Sequence, residues 1–544
     1  MKKLLLCLFI LISFFCSAQN PLVKMWDYRF GGDDYEEFFS LNQTQDGQFL
    51  IGGYSYSNIS GDKTENSSGS NDYWIVKTDS FGNKLWDKKF GGYLSDIFSC
   101  LTVTVDGGCI LGGRSNSDSS GDKSQNNWDN SHNTFDYWIV KLDSAGNKQW
   151  AKRYGGSDNE GLNCLDKTAD HGYILGGYSN SDIGGDKTQQ EWDTVGVPFH
   201  TSDYWVVKID SNGNKEWDKR YGGTYQDILY SVHQTPDKGY ILGGYSESDS
   251  SGDKTQDSWG NNDYWIVRID ELGNKLWDKR FGGTDLDELF NLQFTSDGGF
   301  ILGGVSASDS SGDKIEHSLG SNDFWLVKVD SAGSKEWEKN LGGLGYESKF
   351  GSLELTPGHG YLISGSTFSN AGGDKSENNL GQCQSWIIKT DSLGNKEWDK
   401  TLLSFGYDDV RCKLIQTKDG CYAIANSTTS GIGGYKTQPS WNNTSDYWIV
   451  KFCDSTLTTN NETTEKENEQ LLISPNPTEG KFTISSLPFE SGRIEIYNIL
   501  GGKIYSATFN QKQQTINIET FPSGIYFVKL GSAEKTFTQK LVVE

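Results

Sequence analysis

One sequence segment occurs seven times along the chain, the last time without its final part, and this repeat limits the possible fold more than any other feature. NDYWIVKTDSFGNKLWDKKFGG at residues 71–92 reappears as FDYWIVKLDSAGNKQWAKRYGG at residues 135–156. The first tryptophan of the segment recurs at a spacing of about 60 to 67 residues, which is typical of repeated structural units. This tryptophan series is Trp74, Trp138, Trp205, Trp265, Trp325, Trp386 and Trp448. The sequence therefore predicts seven units.

Each unit contains four short runs with the residue types and alternation of β-strands. In the first unit they lie at residues 38–44, 49–55, 72–78 and 85–92. Gly-containing turns join the first run to the second and the third to the fourth, because glycine accepts the positive φ that tight hairpins need. A long polar loop joins the second run to the third. Four antiparallel strands per unit predict the blade of a β-propeller.

The two ends of the repeat array predict a closed ring. The seventh unit stops at residues 446–455 without its fourth strand, whereas MWDYRFGG at residues 25–32 is an additional copy of that strand. If the N-terminal strand completes the last blade, no sheet edge of the array stays unpaired. We therefore predict an all-β fold, with a seven-bladed β-propeller of four-stranded blades at residues 20–455.

The fourth strand of each unit carries a second tryptophan series. Its members are Trp26, Trp86, Trp150, Trp217, Trp277, Trp337 and Trp398. Both series are expected to pack blade against blade, since a tryptophan can bury ~150–250 Å². The hairpin pattern D-S-x-G-N-K-x-W resembles the tryptophan-docking motif of quinoprotein-like (PQQ-type) propellers. This resemblance implies a shared scaffold and no shared activity. A quinoprotein also needs a quinone pocket, a bound calcium ion and a catalytic aspartate, and no motif that differs from the common repeat supplies them.

The N-terminus and the charge of the chain predict an exported protein that does not bind nucleic acid. Residues 1–18 place two lysines before a short apolar run and end in small residues, as a cleaved signal peptide does. The mature chain is expected to begin near Gln19. No later run approaches the ~20 apolar residues that span a bilayer. The net charge of −24 would repel the phosphates of DNA or RNA.

Seven cysteines follow the predicted signal peptide, and export favours their oxidation. Cys100 and Cys109 flank one predicted hairpin turn, and Cys412 and Cys421 flank another. Two local disulfides are therefore open alternatives, although the offsets from the turn differ between the two pairs. The odd count leaves at least one thiol unpaired in a monomer.

Charged residues recur at fixed offsets at the predicted loop end of every blade. Each connection between blades carries one carboxylate: Glu36, Asp96, Glu160, Asp227, Asp287, Glu347 and Asp408. Each long loop carries one lysine: Lys63, Lys123, Lys187, Lys254, Lys314, Lys375 and Lys436. One interpretation is a charged ring or a set of calcium sites. The other is that the carboxylates cap backbone amides and pair with the lysines, and it is favoured because a single ligand site should break the symmetry.

Calcium is the one cofactor that the sequence leaves open. Units two to five contain paired aspartates four residues apart: Asp118/Asp122, Asp182/Asp186, Asp249/Asp253 and Asp309/Asp313. Two such carboxylates can share a hard cation, but calcium takes six to eight oxygen ligands and the EF-hand pattern is absent.

The four remaining tryptophans all fall in long loops. They are Trp128, Trp192, Trp259 and Trp441. Exposed indoles among polar residues could stack on sugar rings. Leu319 and Leu380 take the position of Trp259 in sister units, however, which favours an apolar anchor for the loop. The six histidines, His233 among them, lack catalytic or metal-binding spacing and are predicted to be isolated surface residues.

The C-terminal residues carry the most specific resemblance. A polar, acidic linker at residues 456–470 precedes alternating strands at residues 471–544, which predict a small β-sandwich. Its motif residues resemble the C-terminal sorting domain of type IX (Por) secretion substrates: Pro475, Asn476, Pro477, Gly480, Gly524 and Lys540. This resemblance implies an address that the type IX machinery of a Gram-negative bacterium reads at the outer membrane, after which the cargo is released or held at the surface.

The expected function is a secreted or cell-surface binding module for a glycan or a surface protein. The alternative is a secreted polysaccharide-active or quinoprotein-like enzyme on the same scaffold. A cluster of carboxylates at one side of the central channel would favour the enzyme, and uniform loops would favour binding.

Overall fold

The structure is a computed structural model, and it describes most of the chain. The described residues are 22–129, 131–192, 201–454, 472–474, 478, 480–485, 491–498, 502–509, 513–518, 520–531 and 536–543. The predicted signal peptide, the linker and Pro475, Asn476 and Pro477 lie outside these residues. The chain divides into two compact units between Leu457 and Thr458.

The first unit contains seven four-stranded antiparallel sheets. Its strands in chain order are β1 (Leu22–Phe30), β2 (Glu36–Gln43), β3 (Phe49–Ser55), β4 (Asp72–Thr78), β5 (Lys84–Phe90), β6 (Asp96–Val103), β7 (Cys109–Ser115), β8 (Asp136–Leu142), β9 (Lys148–Tyr154), β10 (Glu160–Lys167), β11 (Tyr173–Ser179), β12 (Asp203–Ile209), β13 (Lys215–Tyr221), β14 (Asp227–Gln234), β15 (Tyr240–Ser246), β16 (Asp263–Ile269), β17 (Lys275–Phe281), β18 (Asp287–Phe294), β19 (Phe300–Ser306), β20 (Asp323–Val329), β21 (Lys335–Leu341), β22 (Glu347–Leu355), β23 (Tyr361–Thr367), β24 (Gln384–Thr390), β25 (Lys396–Leu402), β26 (Asp408–Gln416), β27 (Tyr422–Thr428) and β28 (Asp446–Asp454). A 3₁₀ turn, Trp441–Asn443, lies in the last long loop.

These sheets are the blades of a closed seven-bladed β-propeller. Strands β2, β6, β10, β14, β18, β22 and β26 each contact the next one in this order, and β26 contacts β2. The N-terminal strand β1 pairs antiparallel with β28 in the seventh blade, with Arg29 opposite Trp448. The predicted number of blades and the predicted closing strand are both confirmed.

Both tryptophan series pack one blade against the next. Trp138 is fully buried, and its carbonyl accepts a 3.0 Å hydrogen bond from the hydroxyl of Tyr73 in the preceding blade. The two rings lie 4.8 Å apart between centroids. The half-buried Trp86 packs on the next hairpin, where a Cβ added to Gly146 would lie 3.1 Å from its ring. Gly146 also has a φ of 82°, so this turn requires glycine.

The disulfide in this unit differs from the predicted local pairs. Cys421 is bonded to Cys453, which lies across the β27–β28 ladder at a Cα–Cα distance of 4.3 Å. Cys109 lies opposite Val103, and Cys412 lies opposite Asn426. The predicted pairs Cys100/Cys109 and Cys412/Cys421 are therefore wrong, because strand register brings neither pair together.

The second unit is a small β-sandwich of two sheets, as predicted. Its strands are β29 (Leu472–Ser474), β30 (Lys481–Ser485), β31 (Gly492–Asn498), β32 (Lys503–Phe509), β33 (Gln514–Asn517), β34 (Gly524–Gly531) and β35 (Thr536–Val543). The sheet orders are β29-β30-β33 and β32-β31-β34-β35. Buried residues of both sheets, such as Ile484 and Ile496, share one apolar core. Gly480 precedes β30, Gly524 begins β34, and Lys540 lies in β35.

Candidate functional site

The repeated carboxylates and lysines lie inside the loop end of each blade. Glu36 is fully buried and accepts hydrogen bonds from the Gly32 amide at 2.8 Å and from Ser55 Oγ at 2.7 Å. Lys63 Nζ donates to the same Ser55 Oγ at 3.0 Å. Burial raises the pKa of these carboxyls and lowers that of the lysines, for example to about 8 for Lys63. The contacts match the structural interpretation, with serine linking the two charges.

The paired aspartates of the calcium hypothesis contact different protein donors. Asp118, the first of its pair, accepts a hydrogen bond from the Asn127 amide in its own loop. Asp186, the second of its pair, accepts from the Gly155 amide and from Arg153 of the preceding blade. Asp249 and Asp309 repeat the first contact, Asp253 repeats the second, and Asp122 and Asp313 also contact the preceding blade. Asp182 accepts from Gln190 in its own loop. Among the described residues no three His, Cys, Asp or Glu side chains are grouped as metal ligands would be, and calcium remains an untested prediction.

The loop tryptophans connect each long loop to the next blade. Trp128 Nε1 donates to Asp186 at 2.9 Å, and the guanidinium of Arg153 lies 4.5 Å from the ring centroid. The arginine–ring contact recurs at Trp192, Trp259 and Trp441, which lie beside Arg220, Arg280 and Arg29. The indole–aspartate hydrogen bond recurs at Trp192 and Trp441. The four side chains are 46, 42, 52 and 42 % exposed, and they occupy four separate loops. These contacts favour the anchor interpretation, whereas sugar stacking on these rings remains untested.

The central channel is where the seven blades differ. Each of the first five innermost strands has a bulge that leaves one residue out of register, such as Phe39 between Phe38 and Ser40. The out-of-register residues are Phe39, Ser99, Asn163, Tyr230, Phe290 and, in the sixth blade, Gly351. In the seventh blade the irregular segment is longer and includes Arg411. No residue type is shared by all blades at this level.

These positions line a cavity of about 150 Å³, which we call the upper chamber. Its lining residues are Phe39, Ser99, Asn163, Tyr230, Phe290, Asn291, Lys349, Phe350, Gly351, Arg411, Cys412 and Lys413. They come from all seven innermost strands, so the chamber lies on the propeller axis. The aromatic residues Phe39, Tyr230 and Phe290 come from the first, fourth and fifth blades. The cations come from the sixth and seventh blades.

Cations and aromatic rings are in contact within the upper chamber. The Arg411 guanidinium stacks on Phe39 at 3.9 Å from the ring centroid, and Lys349 Nζ lies 5.9 Å from that of Phe290. Lys413 Nζ donates to the carbonyl of Gly351 at 2.6 Å. A cation over a ring face is attracted by the ring quadrupole, so these contacts hold the charged groups in place.

A second cavity, the channel mouth, lies at the long-loop end. It has a volume of about 420 Å³ and is lined by Asn159, Tyr178, Asn180, Ser202, Gln226, Ile228, Tyr230 and Tyr245. Tyr230 belongs to both cavities, which makes them neighbours. Its ring packs edge-on against Phe290 at 4.9 Å and beside Tyr245 at 5.9 Å. The mouth therefore combines phenol rings with side-chain amides.

The opposite end of the channel carries a polar group of residues, which we call the lower ring. Asp166, His233 and Glu354 occupy equivalent positions of β10, β14 and β22, each opposite the second residue of its partner strand. His233 Nδ1 lies 3.2 Å from Asp166 Oδ2, and in a long loop His317 Nδ1 lies 2.8 Å from Asp309 Oδ1. The prediction of isolated histidines is therefore wrong for these two. Burial raises the pKa of Glu354 to about 7, although Lys413 and His233 act to lower it. Asp166, His233 and Glu354 each lie two residues before the threonine of the first hairpin turn of their blade, and this shared offset in the sequence would have grouped the three residues.

Sequence comparison identifies the C-terminal unit. Residues 472–544 match the family model Por_Secre_tail, described as a secretion system C-terminal sorting domain. This unit is a sorting domain. It implies interaction with the secretion machinery, so the chain is a secreted β-propeller protein. No described helix has the length and apolar character of a membrane span.

The solved structures that match most of the chain are distant in sequence. The chain is 10 % identical to PorZ, a bacterial surface component of the type IX secretion system of Porphyromonas gingivalis, with a TM-score of 0.39. The match covers 95 % of this chain and 60 % of PorZ. A Synechocystis apocarotenoid oxygenase variant is 12 % identical, with a TM-score of 0.36 and coverage of 73 % and 88 %. No curated protein matches the chain in sequence.

Proposed function

We propose that this protein is a glycan-binding propeller that type IX secretion delivers to the cell surface or the medium of a Gram-negative bacterium, and that the upper chamber and the channel mouth hold the ligand. The predicted signal peptide would bring the chain across the inner membrane. The sorting domain would then direct it across the outer membrane. The predicted surface-protein ligand is the other outcome that a binding experiment can give.

The observation that carries this proposal is the loss of seven-fold symmetry in the channel. Features present in every blade, such as the buried Glu36 and Lys63, have partners within the fold. At the bulge level, in contrast, Phe39, Tyr230 and Arg411 occupy the same layer on different blades. A single ligand needs one specific set of contacts, so its site belongs where the repeat diverges.

The side chains of the two cavities suit a saccharide. Sugar rings present C–H groups on one face and hydroxyls at their edges. Tyr178, Tyr230 and Tyr245 offer ring faces. The amide oxygens of Asn159 and Asn180 each accept a hydrogen bond within the fold, and a carbonyl oxygen has two lone pairs, so each can accept a second bond from a sugar hydroxyl. Ligand pockets usually combine an apolar or aromatic lining with a few polar groups that fix orientation.

One observation favours the enzyme as a second candidate function. Glu354, with a pKa near 7, shares the lower ring with the His233–Asp166 pair. A carboxyl poised near neutral pH can serve as a general acid or base. Release of reducing sugar from polysaccharides by the wild type, and its loss in Glu354→Gln, would support this alternative.

Glycan-array binding of the full secreted chain tests the main proposal. We expect a Tyr230→Ala/Phe290→Ala variant to lose at least about tenfold in affinity, because it removes two aromatic faces. Stacking of a nucleic-acid base on one such face is worth roughly 1–3 kcal/mol, and we take a similar scale for the sugar ring. The matched control is Trp128→Ala/Trp192→Ala, which removes two loop tryptophans and leaves the channel unchanged. Wild-type affinity in the folded channel variant would refute the proposed site, and loss in the control alone would move the site to the loops.

A further inference from the structure

We infer that the upper chamber binds a carboxylate, and that the ligand is an acidic saccharide built from uronic acid residues. This inference rests on the proposed function and specifies the ligand class. Three cations, Lys349, Arg411 and Lys413, line a cavity of about 150 Å³ in a chain whose net charge is −24. An acidic surface repels anions, so a cationic chamber on its axis is the place where an anion can be held.

Arg411 provides the strongest support. Its guanidinium is fixed on the ring of Phe39, and its Nη1 is buried without a hydrogen-bond partner among the described residues. A buried charged donor left unpaired is costly, and native structures rarely keep one without a reason. The planar fork of an arginine matches a carboxylate in geometry, so a bound carboxylate would satisfy this donor.

The acidic residues at the same level of the channel have partners other than Arg411. Glu288 accepts a 3.1 Å hydrogen bond from Asn262 of the neighbouring loop. Glu37 lies beside the hydroxyl of Tyr54 and opposite it in the β2–β3 ladder. Deeper in the channel, the negative charge of Glu354 interacts with Lys413 and offsets part of its positive charge. Burial raises the pKa of Glu288 and Lys349 acts to lower it, so the charge of Lys349 is shared with that carboxylate. Arg411 is the cation whose buried Nη1 is left for a ligand of the chamber.

Aromatic rings favour a saccharide over an acidic peptide as the carrier of the carboxylate. Phe39, Tyr230 and Phe290 line the chamber beside the cations, and they can contact the C–H face of a sugar ring. Asn163 and Asn291 line the same cavity. A pyranose with a carboxylate at one edge can contact the aromatic rings, the side-chain amides and the cations of the chamber at the same time.

Titration calorimetry with the full secreted chain tests the inference, with trigalacturonate as the probe. Its methyl ester, which has the same sugar rings without the charge, and a hexaglutamate peptide are the comparison ligands. We expect trigalacturonate to bind at least about tenfold more tightly than either, and added salt to weaken it. Arg411→Gln should reduce affinity about 10- to 100-fold, because it removes a charge-assisted hydrogen bond to the carboxylate. Lys88→Gln, which removes one charge at the outer edge of the first blade, should leave affinity unchanged.

Any one of four other results would overturn the inference. Equal binding of the acid and its ester would exclude the carboxylate but leave a glycan site in the channel, so the proposed function would survive. Tighter binding of hexaglutamate would assign a peptide ligand. Unchanged affinity in a folded Arg411→Gln variant, or no binding of trigalacturonate by wild-type protein with an intact thermal unfolding transition, would also overturn it.

Discussion

Tyr447 in the seventh blade donates a 3.2 Å hydrogen bond to the backbone carbonyl of Trp74 in the first blade. The same bond joins other neighbouring blades, for example from Tyr264 to the carbonyl of Trp325 at 3.0 Å. The chain ends therefore meet through the contact that the interior blades use. The fifth blade has Phe324 at this position, and its ring stacks on Trp386 without a hydroxyl.

Tyr447→Phe is expected to destabilise the propeller by about 1 kcal/mol, because a buried carbonyl loses its hydrogen bond. Tyr264→Phe is the matched control at an interior interface. Urea unfolding of the two variants should give equal losses. If Tyr264→Phe lowers the free energy of unfolding and Tyr447→Phe does not change it, the propeller is open between its first and seventh blades in solution.

The disulfide between Cys421 and Cys453 reinforces the blade that the N-terminal strand completes. Cys453 lies opposite Val23 of β1, and the bond closes a loop of 32 residues in sequence separation. Its removal in Cys421→Ala/Cys453→Ala should lower the free energy of unfolding by about 2–4 kcal/mol. Reductant should reproduce this loss in the wild type and have no effect on the variant. An equal response of both proteins to reductant would contradict this pairing.

Sequence reasoning predicted the blades well because each depends on local signals. Hairpin turns, alternation and the additional strand at residues 25–32 are visible without any tertiary contact. The disulfide depends instead on register, since Cys453 meets Cys421 only when β28 pairs with β27. Local proximity in sequence was therefore a misleading guide to cysteine pairing.

The channel was harder to predict for a related reason. The bulge that exposes Phe39 interrupts the alternation on which face assignments depend. Strands β22 and β26 each contain one residue more than the other innermost strands, which changes the positions that Lys349 and Arg411 occupy. The charges that recur in every unit, such as Glu36, have hydrogen-bond partners within the blade, so repetition of a charge did not indicate the site. The informative signal was the divergence between units at one position.

In the second blade, one substitution should supply a hydrogen-bond acceptor for the buried indole N–H of Trp138. Trp265 Nε1 donates to Asp278 at 3.2 Å, and other blades have the same pair. Ala151 takes the aspartate position in the second blade, and Trp138 Nε1 has no hydrogen-bond partner among the described residues. Ala151→Asp should therefore stabilise the propeller by about 1 kcal/mol, as measured by urea unfolding.

The reciprocal change in the fourth blade provides the control. Asp278→Ala removes the acceptor of Trp265 and a partner of Lys275, so it should cost about 2 kcal/mol or more. A destabilised Ala151→Asp would show that the second blade cannot accommodate the carboxylate, whose charge would then be buried without adequate pairing.

The buried carboxyls predict how stability changes with pH. Burial raises the pKa of Asp263 to about 7, well above that of an aspartate in the unfolded chain. The folded protein therefore binds the proton more tightly than the unfolded one, so this group favours folding at low pH. Its contribution decreases as the pH rises from about 4 to about 7. The buried carboxyls in the connections between blades, such as Asp408 and Glu347, also have raised pKa values, so their effect on stability has the same sign.

Asp263→Asn tests this sign at one site. The amide oxygen can still accept the 2.7 Å hydrogen bond from the Trp259 amide, and it carries no charge to bury. The variant should lose less stability than the wild type between pH 5 and pH 8, by on the order of 1 kcal/mol. Thermal unfolding at both pH values measures the difference. A larger loss in the variant would mean that Arg280 and Lys254 hold the Asp263 carboxylate ionised at pH 5, and that its charge stabilises the blade.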